Sequence, residues 1–576
     1  MLMFLLAITE KQISQNYDKK VTIEKKINNH YLTIIYESSF IEEVHKKTGI
    51  TIIEKKPKIE KSNIIKKLTT VEYNDQKRYI KIYRSPLTAK PIYYTSNNKG
   101  EFFCSTHITL LRKANVPIRE NRNVLPEFFV YRIVIPPLTF FNEIKQLSIG
   151  ENLKIYIKDG KCISTKRFQH EFTVENKKIT SLKKITKEIL DVIENTYDEL
   201  NLSNNEVATI LSGGIDSSIL TKIAQKKFGI QDSYSTGYPF EQEELNFERQ
   251  YAISAAKLLG LKHNYYESTI KEYLENLING INAVEIPVHH LQSICLFSLY
   301  DRGIPKTKTT IIEGWGAGGA FGNFRNYLYY RKKLIPNIIT NPIIYPSAKK
   351  ITRMIGKDDT TIKLISKSKK NIQFKDSSNP LWSYHKYGNE DWVCNYFNVS
   401  KDRIIHNQYH SIQKFENRSI YDISALYTLL GDEDSTLSII SKLGLANDKL
   451  HLFPYYDIDV LNLVFQIPWK LKLQKPESKL RKMMAKSVGI PKSIIKRPKI
   501  GFGINTKSWS LKNGIFEPMV PIAKKIFPLD VIRKVQTKEV DRAMIFWNIL
   551  NYSIWQRLII KEEPKEILME ELHENM

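Results

Sequence analysis

The reading of this chain turns on Val207-Ala208-Thr209-Ile210-Leu211-Ser212-Gly213-Gly214-Ile215-Asp216-Ser217-Ser218: an apolar run, two adjacent glycines, one carboxylate and three serines. Val207, Ile210 and Leu211 suit a buried strand, and Ser217-Ser218 ahead of Ile219, Leu220 and Ile223 suits the opening of a helix. A tight loop must join the two. Gly213 and Gly214 let the backbone turn without a Cβ penalty and let a ligand approach its N–H groups, while the helix that follows points its positive end at the same place. That arrangement suits a phosphate. It is not a Walker A loop, because the chain has no G-x-x-x-x-G-K-S/T and the two glycines are adjacent.

Composition bounds what surrounds the loop. A length of 576 residues exceeds one ordinary core and predicts two to four units, with two expected here. Hydrophobic residues at 42% and aromatics at 11% are globular values, and no apolar run reaches the length of a membrane span. Met1 to Ile8 is apolar but has neither a basic flank nor a cleavage site, and reads as an N-terminal strand. The four cysteines, Cys104, Cys162, Cys295 and Cys394, show no C-x-x-C or zinc-ligand spacing, which fits a reducing cytoplasm. Lys and Arg total 87 against 61 acidic residues, a formal +26. The basic residues are interspersed with acids along the whole chain, so a solvated lysine-rich surface is expected rather than a dedicated nucleic-acid face.

From Met1 to about Thr173, short β-rich runs such as Tyr31–Tyr36 and Arg78–Tyr83 alternate with turns and predict layered β-sheets. Beyond it, Ile179 to Leu200 has helical spacing at Leu182, Ile185, Ile189, Leu190, Ile193 and Tyr197. After the loop, Tyr234–Tyr238 reads as a second strand and Glu243–Leu259 as a helix, so strands and helices alternate and a parallel sheet is implied. Residues 325–425, with Pro336, Pro342 and Pro346, present no readable site. Helical spacing returns from Tyr421 to Leu443.

The loop resembles the S-G-G-x-D-S pyrophosphate loop of the N-type ATP pyrophosphatases. Ahead of it, Ile82-Tyr83-Arg84-Ser85-Pro86-Leu87-Thr88-Ala89-Lys90-Pro91-Ile92-Tyr93-Tyr94 and Glu101-Phe102-Phe103-Cys104-Ser105-Thr106 resemble A-R-D-P-L-G-x-K-P-L-Y-Y and F-A-S-E of the class II glutamine amidotransferase domain in asparagine synthetases. Pro137 to Gly150 resembles the run that closes that domain. Leu258-Leu259-Gly260-Leu261-Lys262-His263 resembles L-G-x-x-H, with His263 expected to be structural, and Phe453-Pro454-Tyr455-Tyr456-Asp457 resembles V-P-F-L-D. Lys479-Leu480-Arg481 and Arg497-Pro498-Lys499-Ile500-Gly501-Phe502 resemble K-x-x-L-R and R-x-K-x-G-F of asparagine and β-lactam synthetases.

The departures are equally specific. The family's amidotransferase uses an N-terminal cysteine, whereas this chain begins Met1-Leu2-Met3-Phe4, its first cysteine is Cys104, and the nearest thing to the glutamine-binding N-G-E is Tyr36-Glu37-Ser38. A glutaminase fold without glutaminase activity is expected. The family's G-E-G-A-D-E-L-F-G-G-Y becomes Glu313-Gly314-Trp315-Gly316-Ala317-Gly318-Gly319-Ala320-Phe321-Gly322-Asn323, so Gly318-Gly319 stand where the Asp-Glu pair would supply a magnesium carboxylate. A second carboxylate would then come from Glu313, from Asp432-Glu433-Asp434, or be replaced by water. The family's E-x-R is replaced by Leu450 and Leu452.

The resemblance implies an α+β, Ntn-type glutaminase-like domain at 1–175, followed at 176–576 by an α/β parallel-sheet ATP pyrophosphatase domain of the adenine nucleotide alpha hydrolase kind. It implies ATP and Mg²⁺, with Ser212, Gly213, Gly214, Ser217 and Ser218 at the pyrophosphate and Asp216 on the metal. Leu211, Thr236, Glu313 and Gly314 would lie at the adenosine, Lys499 at the adenylate, and Lys479 in support of the phosphates. The expected partners are a small-molecule or peptide carboxylate and an amine or ammonia; nucleic acid is not expected, and a homodimer is left open. Two other readings stand beside this ligase: a nucleotide-binding pseudoenzyme that lost its chemistry with the Asp-Glu pair, and a tRNA-directed enzyme using the same loop.

Overall fold

Strand Phe4–Thr9 has no polar residue before its last position because both of its faces are covered. Leu5 and Ala7 face a helical core, while Phe4, Leu6 and Ile8 face a second sheet, the two-residue alternation of a strand sorting them to opposite sides. The computed structural model describes residues 4–11, 13, 21–27, 30–36, 42–46, 49–53, 63–168, 181–200, 202–238, 247–321, 377, 380–416, 418, 420–472, 479–497 and 506–576. The sheet containing Phe4–Thr9 has six antiparallel strands, with His30–Tyr36 on one side of it and Phe102–Ser105 on the other. A second six-stranded antiparallel sheet, centred on Asn152–Lys158, Tyr79–Tyr83 and Thr70–Asn74, closes over it. Ile80, Ile82, Leu153 and Ile155 fill the space between them, each removing enough apolar surface from water to contribute about 1.5–3 kcal/mol.

Among the described residues, the rest of the chain is organised on five short parallel strands. Val207–Thr209 pairs with Thr310–Ile312, which pairs with Leu450–Leu452. Asp232–Gly237 pairs with Lys262–Glu267, and a parallel bridge from Ile210 to Tyr234 joins the two sets. Taken in chain order, the spatial sequence is third, second, first, fourth, fifth. The order reverses between the first and fourth strands, and at their carboxyl ends the crossovers diverge to opposite sides and leave a crevice. Leu182–Leu200 packs its expected stripe, Ile185, Ile189, Leu190, Ile193 and Tyr197, into the core ahead of the first strand.

Three sequence expectations shift in detail. The loop helix begins at Ile215, two residues before Ser217. The helical stretch from Tyr421 is broken into Ile420–Thr428, a π-helical turn over Leu429–Glu433, and Asp434–Leu445. Within 325–425, helices cover Pro380–His385, Glu390–Phe397 and Lys401–Ile412, while Pro336, Pro342 and Pro346 lie outside the described residues. The expected boundary at 175/176 also falls outside them, between the strand that ends at Phe168 and the helix that starts at Leu182. Among the described residues no helix is long and apolar enough to cross a membrane.

The two halves are tied by buried charge. Arg84, from the β-rich half, donates to both oxygens of Asp434, at 3.1 and 2.6 Å, and to Ser438 Oγ at 2.6 Å, and neither charged side chain has any solvent exposure. Its Nε donates to the Lys90 carbonyl at 2.7 Å, and the Ile149 amide completes the shell of Asp434 at 3.1 Å. Lys67 and Thr196 similarly share Asp457, at 2.9 and 2.6 Å. A buried pair adds little net stability against an apolar replacement, but deleting one partner strands the other charge in a dry site. Arg84→Ala is therefore expected to cost about 3–5 kcal/mol in urea unfolding, whereas Arg84→Met with Asp434→Leu should cost distinctly less; equal losses would contradict this account.

Candidate functional site

At the end of Val207–Thr209 the backbone is shared between two neighbours. The Ile210 amide donates to the Ile312 carbonyl at 3.0 Å, and the Leu211 amide donates to the Tyr234 carbonyl at 2.8 Å. Ser212 then leaves the sheet. Gly213 follows at φ 72°, where a Cβ would lie 2.3 Å from the Tyr251 carbonyl oxygen, so only glycine fits. Gly214 is the N-cap of Ile215–Phe228. The Ser217 hydroxyl lies 3.0 Å from Ser212 Oγ, accepts from the Ser212 amide at 3.2 Å and donates to the Gly214 carbonyl at 3.3 Å, bracing the turn from inside. The first-turn amides of the helix point out of it, toward a place suited to an anion.

That place opens into a cleft of about 630 Å³. The loop contributes Ser212, Gly214, Asp216 and Ser217; the neighbouring strands contribute Thr236, Glu313 and Gly314. A Cβ on Gly314 would lie 2.9 Å from the Ser217 amide nitrogen, so the loop and the strand end touch through backbone alone. Arg481, Lys482, Lys496 and Arg497 give the cleft a cationic wall, and Glu248 and Glu433 face it.

The charges are mutually arranged. Arg481 donates to Asp216 Oδ2 at 2.8 Å, and the Tyr455 hydroxyl holds the Asp216 carbonyl at 2.8 Å, while Asp216 Oδ1 is buried without a hydrogen-bond partner. Arg497 donates to the Ser212 carbonyl at 2.9 Å and to Glu248 at 2.8 Å, with its guanidinium 3.7 Å from the Tyr251 ring centre. Burial raises the Glu248 carboxyl above its ordinary range, and Arg497 opposes that shift. Glu313 is fully buried: its Oε1 accepts from the Tyr300 hydroxyl at 2.5 Å and lies 3.4 Å from His451 Nδ1, and its Oε2 has no hydrogen-bond partner. Asp216 Oδ1 and Glu313 Oε2 are thus two carboxylate oxygens at the cleft with coordination to spare. Hard oxygen donors of this kind fit Mg²⁺, which takes one or two carboxylates and completes its shell with waters and phosphate.

The segment that departs from the G-E-G-A-D-E pattern has its own packing. A Cβ on Gly316, at φ 84°, would lie 1.8 Å from a Tyr456 ring carbon, and one on Gly319 would lie 3.2 Å from the Tyr456 hydroxyl and 3.3 Å from Glu433 Cγ. Glu433, brought in by the π-helical turn, stands beside the backbone where the resembling family has a carboxylate.

Of the residues singled out from sequence, Ser212, Gly214, Asp216, Ser217, Thr236, Glu313 and Gly314 line one cleft. Leu211 and Ser218 are fully buried behind it, and Gly213 shapes the turn rather than the wall. Lys479 begins the helix Lys479–Ser487, half-buried and off the cleft wall; Lys499 lies outside the described residues. Arg481 reaches the loop where the resemblance implied Lys479. Positions i and i+2 of a helix lie on different faces, so choosing between them needed the helix's orientation. Glu433 belongs to the acidic run offered from sequence as a substitute carboxylate, whereas Glu248 had no sequence signal beyond charge. His263 is held by Ser233 at 3.0 Å and Ser235 at 2.8 Å, and burial lowers it to about 4, consistent with packing rather than proton transfer.

A family model described as asparagine synthase matches residues 188–522, and one described as a glutamine amidotransferase domain matches residues 68–169. The chain is similar to asparagine synthetase (glutamine-hydrolyzing) 1 of Bacillus subtilis (strain 168), 25% identical over 526 residues that cover 84% of this chain and 78% of that protein. It is also similar to a putative asparagine synthetase (glutamine-hydrolyzing) of Mycobacterium tuberculosis (strain ATCC 25618 / H37Rv), 21% identical over 507 residues, 83% of this chain and 74% of that one.

Gly213 and Gly229 have nearly equal positive φ, 72° and 68°, but nothing lies within 4 Å of a Cβ at Gly229. Gly229→Ala should cost about 1 kcal/mol for the left-handed backbone alone. Gly213→Ala should add roughly 1–3 kcal/mol of overpacking against Tyr251. Parallel denaturant titrations of the two variants measure the difference, and equal midpoints would refute the close approach.

Proposed function

The chain belongs to the asparagine synthase family, and from that premise we propose that it is an ATP-dependent ligase that joins a carboxylate to a nitrogen through an acyl adenylate. The observation that supports this most directly is the Ser212–Ser218 loop at the strand-order reversal, with a helix N-terminus behind it and Arg481, Lys482, Lys496 and Arg497 facing it across the cleft. In the first step a carboxylate oxygen attacks the α-phosphorus of ATP and the bond to the bridging oxygen of the β-phosphate breaks. Pyrophosphate leaves into the loop, where the helix amides and the cationic wall take up the charge that builds on the leaving group. In the second step a nitrogen lone pair attacks the acyl carbon, the nitrogen loses a proton, and the acyl–oxygen bond breaks to release AMP. Lys499 would act at the adenylate and Lys479 in support of the phosphates. Mg²⁺, when bound, neutralises phosphate charge; Asp216 and Glu313 would hold it.

The nitrogen would be free ammonia or an amine of the substrate. Cys104 and Cys295 are fully buried, and burial raises the thiols of Cys104 and Cys394 above their ordinary value and that of Cys162 to about 11. None of the four is therefore set up as the thiolate that glutamine cleavage would require. Leu450 and Leu452, both fully buried, offer no charged group to a substrate at the place of the family's E-x-R. The carboxylate, small-molecule or peptide, must be recognised elsewhere in the cleft.

One observation favours a second reading, a nucleotide-binding protein without turnover. The Asp216 carboxylate is already engaged by Arg481, and Gly318-Gly319 carry no side chain to replace it. The two readings part in one assay. Pyrophosphate release with MgATP, a panel of carboxylates and either ammonium or amines is expected, and Asp216→Ala or Lys499→Ala should slow it by roughly 10²–10³-fold, the usual cost of losing one group that stabilises transition-state charge. Glutamine should yield no glutamate. ATP binding with no pyrophosphate release under any pairing would establish the second reading instead.

A further inference from the structure

Beside the cleft, and separate from the groups assigned above, two imidazoles and a carboxylate converge. His289 is buried, His290 and Asp432 are partly so, and one donor atom from each lies within 4.8 Å of the other two. His290 Nε2 and Asp432 Oδ1 stand 3.9 Å apart, too far for a hydrogen bond. His289 Nδ1 and His290 Nε2 are both buried without a hydrogen-bond partner.

The tautomer of His289 follows from its neighbour. Thr436 has a single hydroxyl proton and donates it to the Asp432 carbonyl at 2.7 Å. It can therefore only accept at its other contact, from His289 Nε2–H at 2.9 Å. The proton sits on Nε2, and the buried Nδ1 keeps its lone pair with no donor to meet it. A threonine that orders an imidazole in this way does what outer-shell partners do for metal-bound histidines. His290 Nδ1 lies 3.4 Å from the Gln292 side-chain nitrogen, and turning that amide gives Nδ1–H an acceptor and leaves Nε2 as the second lone pair.

The backbone here is fixed independently of any ligand. Asn551 Oδ1 accepts from the Val288 amide at 3.0 Å, and Trp547 Nε1–H donates to the His289 carbonyl at 3.2 Å, both from the buried helix Val540–Trp555. Asp432 is presented by the π-helical turn Leu429–Glu433, a local widening of the helix of a kind often found at functional sites. Arg132, which reaches the same His289 carbonyl at 3.4 Å, opposes a cation by its charge; Asp432 and the neighbouring Glu433 offset it.

We propose that His289, His290 and Asp432 form a binding site for one divalent transition-metal ion. Two imidazole nitrogens and one carboxylate oxygen suit Zn²⁺ or Co²⁺ rather than Mg²⁺, and three protein donors leave a fourth position to water. Donors about 2.0–2.1 Å from one tetrahedral ion stand roughly 3.4 Å apart, so the cluster, whose donors lie within 4.8 Å of one another, must contract on binding. The ion would clamp the segment before Gln292 to the turn that carries Glu433, and so stiffen the cleft wall at Trp315, whose ring lies 6.3 Å from that of His290. The site does not depend on the ligase reading.

The test is a cobalt titration of untagged, chelator-stripped full-length protein. His406 and His410, exposed one turn apart on Lys401–Ile412, form a second imidazole pair, so every sample carries His410→Ala. Stoichiometric Co²⁺ binding with visible ligand-field bands is expected, with Zn²⁺ displacing it and Mg²⁺ not. His290→Ala should abolish the bands, and Thr436→Val, which touches no metal, should weaken binding about 10- to 100-fold. Should His290→Ala fail to fold by circular dichroism, Asp432→Asn gives the same readout with an isosteric side chain. No bands in the His410→Ala background, displacement by Mg²⁺ as readily as by Zn²⁺, or affinity unchanged by Thr436→Val and Asp432→Asn would each overturn the proposal.

Discussion

Two consecutive amides, those of Ile210 and Leu211, donate in opposite directions, one to Ile312 and the other to Tyr234. A buried backbone N–H must find an acceptor, and in this fork each finds it on a different neighbour. The fork makes Val207–Thr209 the axis about which strand order reverses, and it fixes where the chain must leave the sheet. Everything in the cleft inherits its position from that point: the loop at Ser212, the helix at Ile215, and Glu313 and Gly314 one strand away.

The electrostatics of the cleft follow from what that geometry brings together. The formal charge of +26 says little by itself, because the basic residues are interspersed with acids along the chain. Inside the cleft the cations are instead held in place: Arg497 by a carbonyl, a carboxylate and a ring, Arg481 by Asp216. An anion entering here meets guanidinium groups already oriented, so little side-chain entropy remains to be lost on binding. The same contacts restrain Asp216 to presenting one oxygen.

Much of this was legible in the sequence where a local rule sufficed. The Gly-Gly turn, the apolar stripe of Leu182–Leu200 and the alternation of Tyr79–Tyr83 each express a short-range constraint. What was not legible depends on distant parts of the chain meeting. Nothing in Ile82-Tyr83-Arg84-Ser85-Pro86 announces that Arg84 will be neutralised by Asp434, some 350 positions away. Nor does Asp432-Glu433-Asp434 reveal that three adjacent acids face three different surroundings, one near His290, one at Gly319 and one at Arg84. A π-helical turn rotates each of them away from the direction that regular helical spacing would give, and no sequence period encodes it. Lys479 against Arg481 was a choice of helix face, settled only by how Lys479–Ser487 packs.

The crowding around Gly316 and Gly319 bears on how such a site can change. Tyr456 stands where the resembling family has leucine, and its ring and hydroxyl occupy the volume that side chains at 316 and 319 would need. Glu433 occupies the rest. Restoring an acidic side chain at 319 would thus meet the Tyr456 hydroxyl and the like charge of Glu433 already in place. A side chain added at 319 while Tyr456 is in place is crowded, whereas a smaller residue at 456 first would clear the space for it. Divergence at this position is consequently epistatic: the order in which 319 and 456 change decides what each change costs.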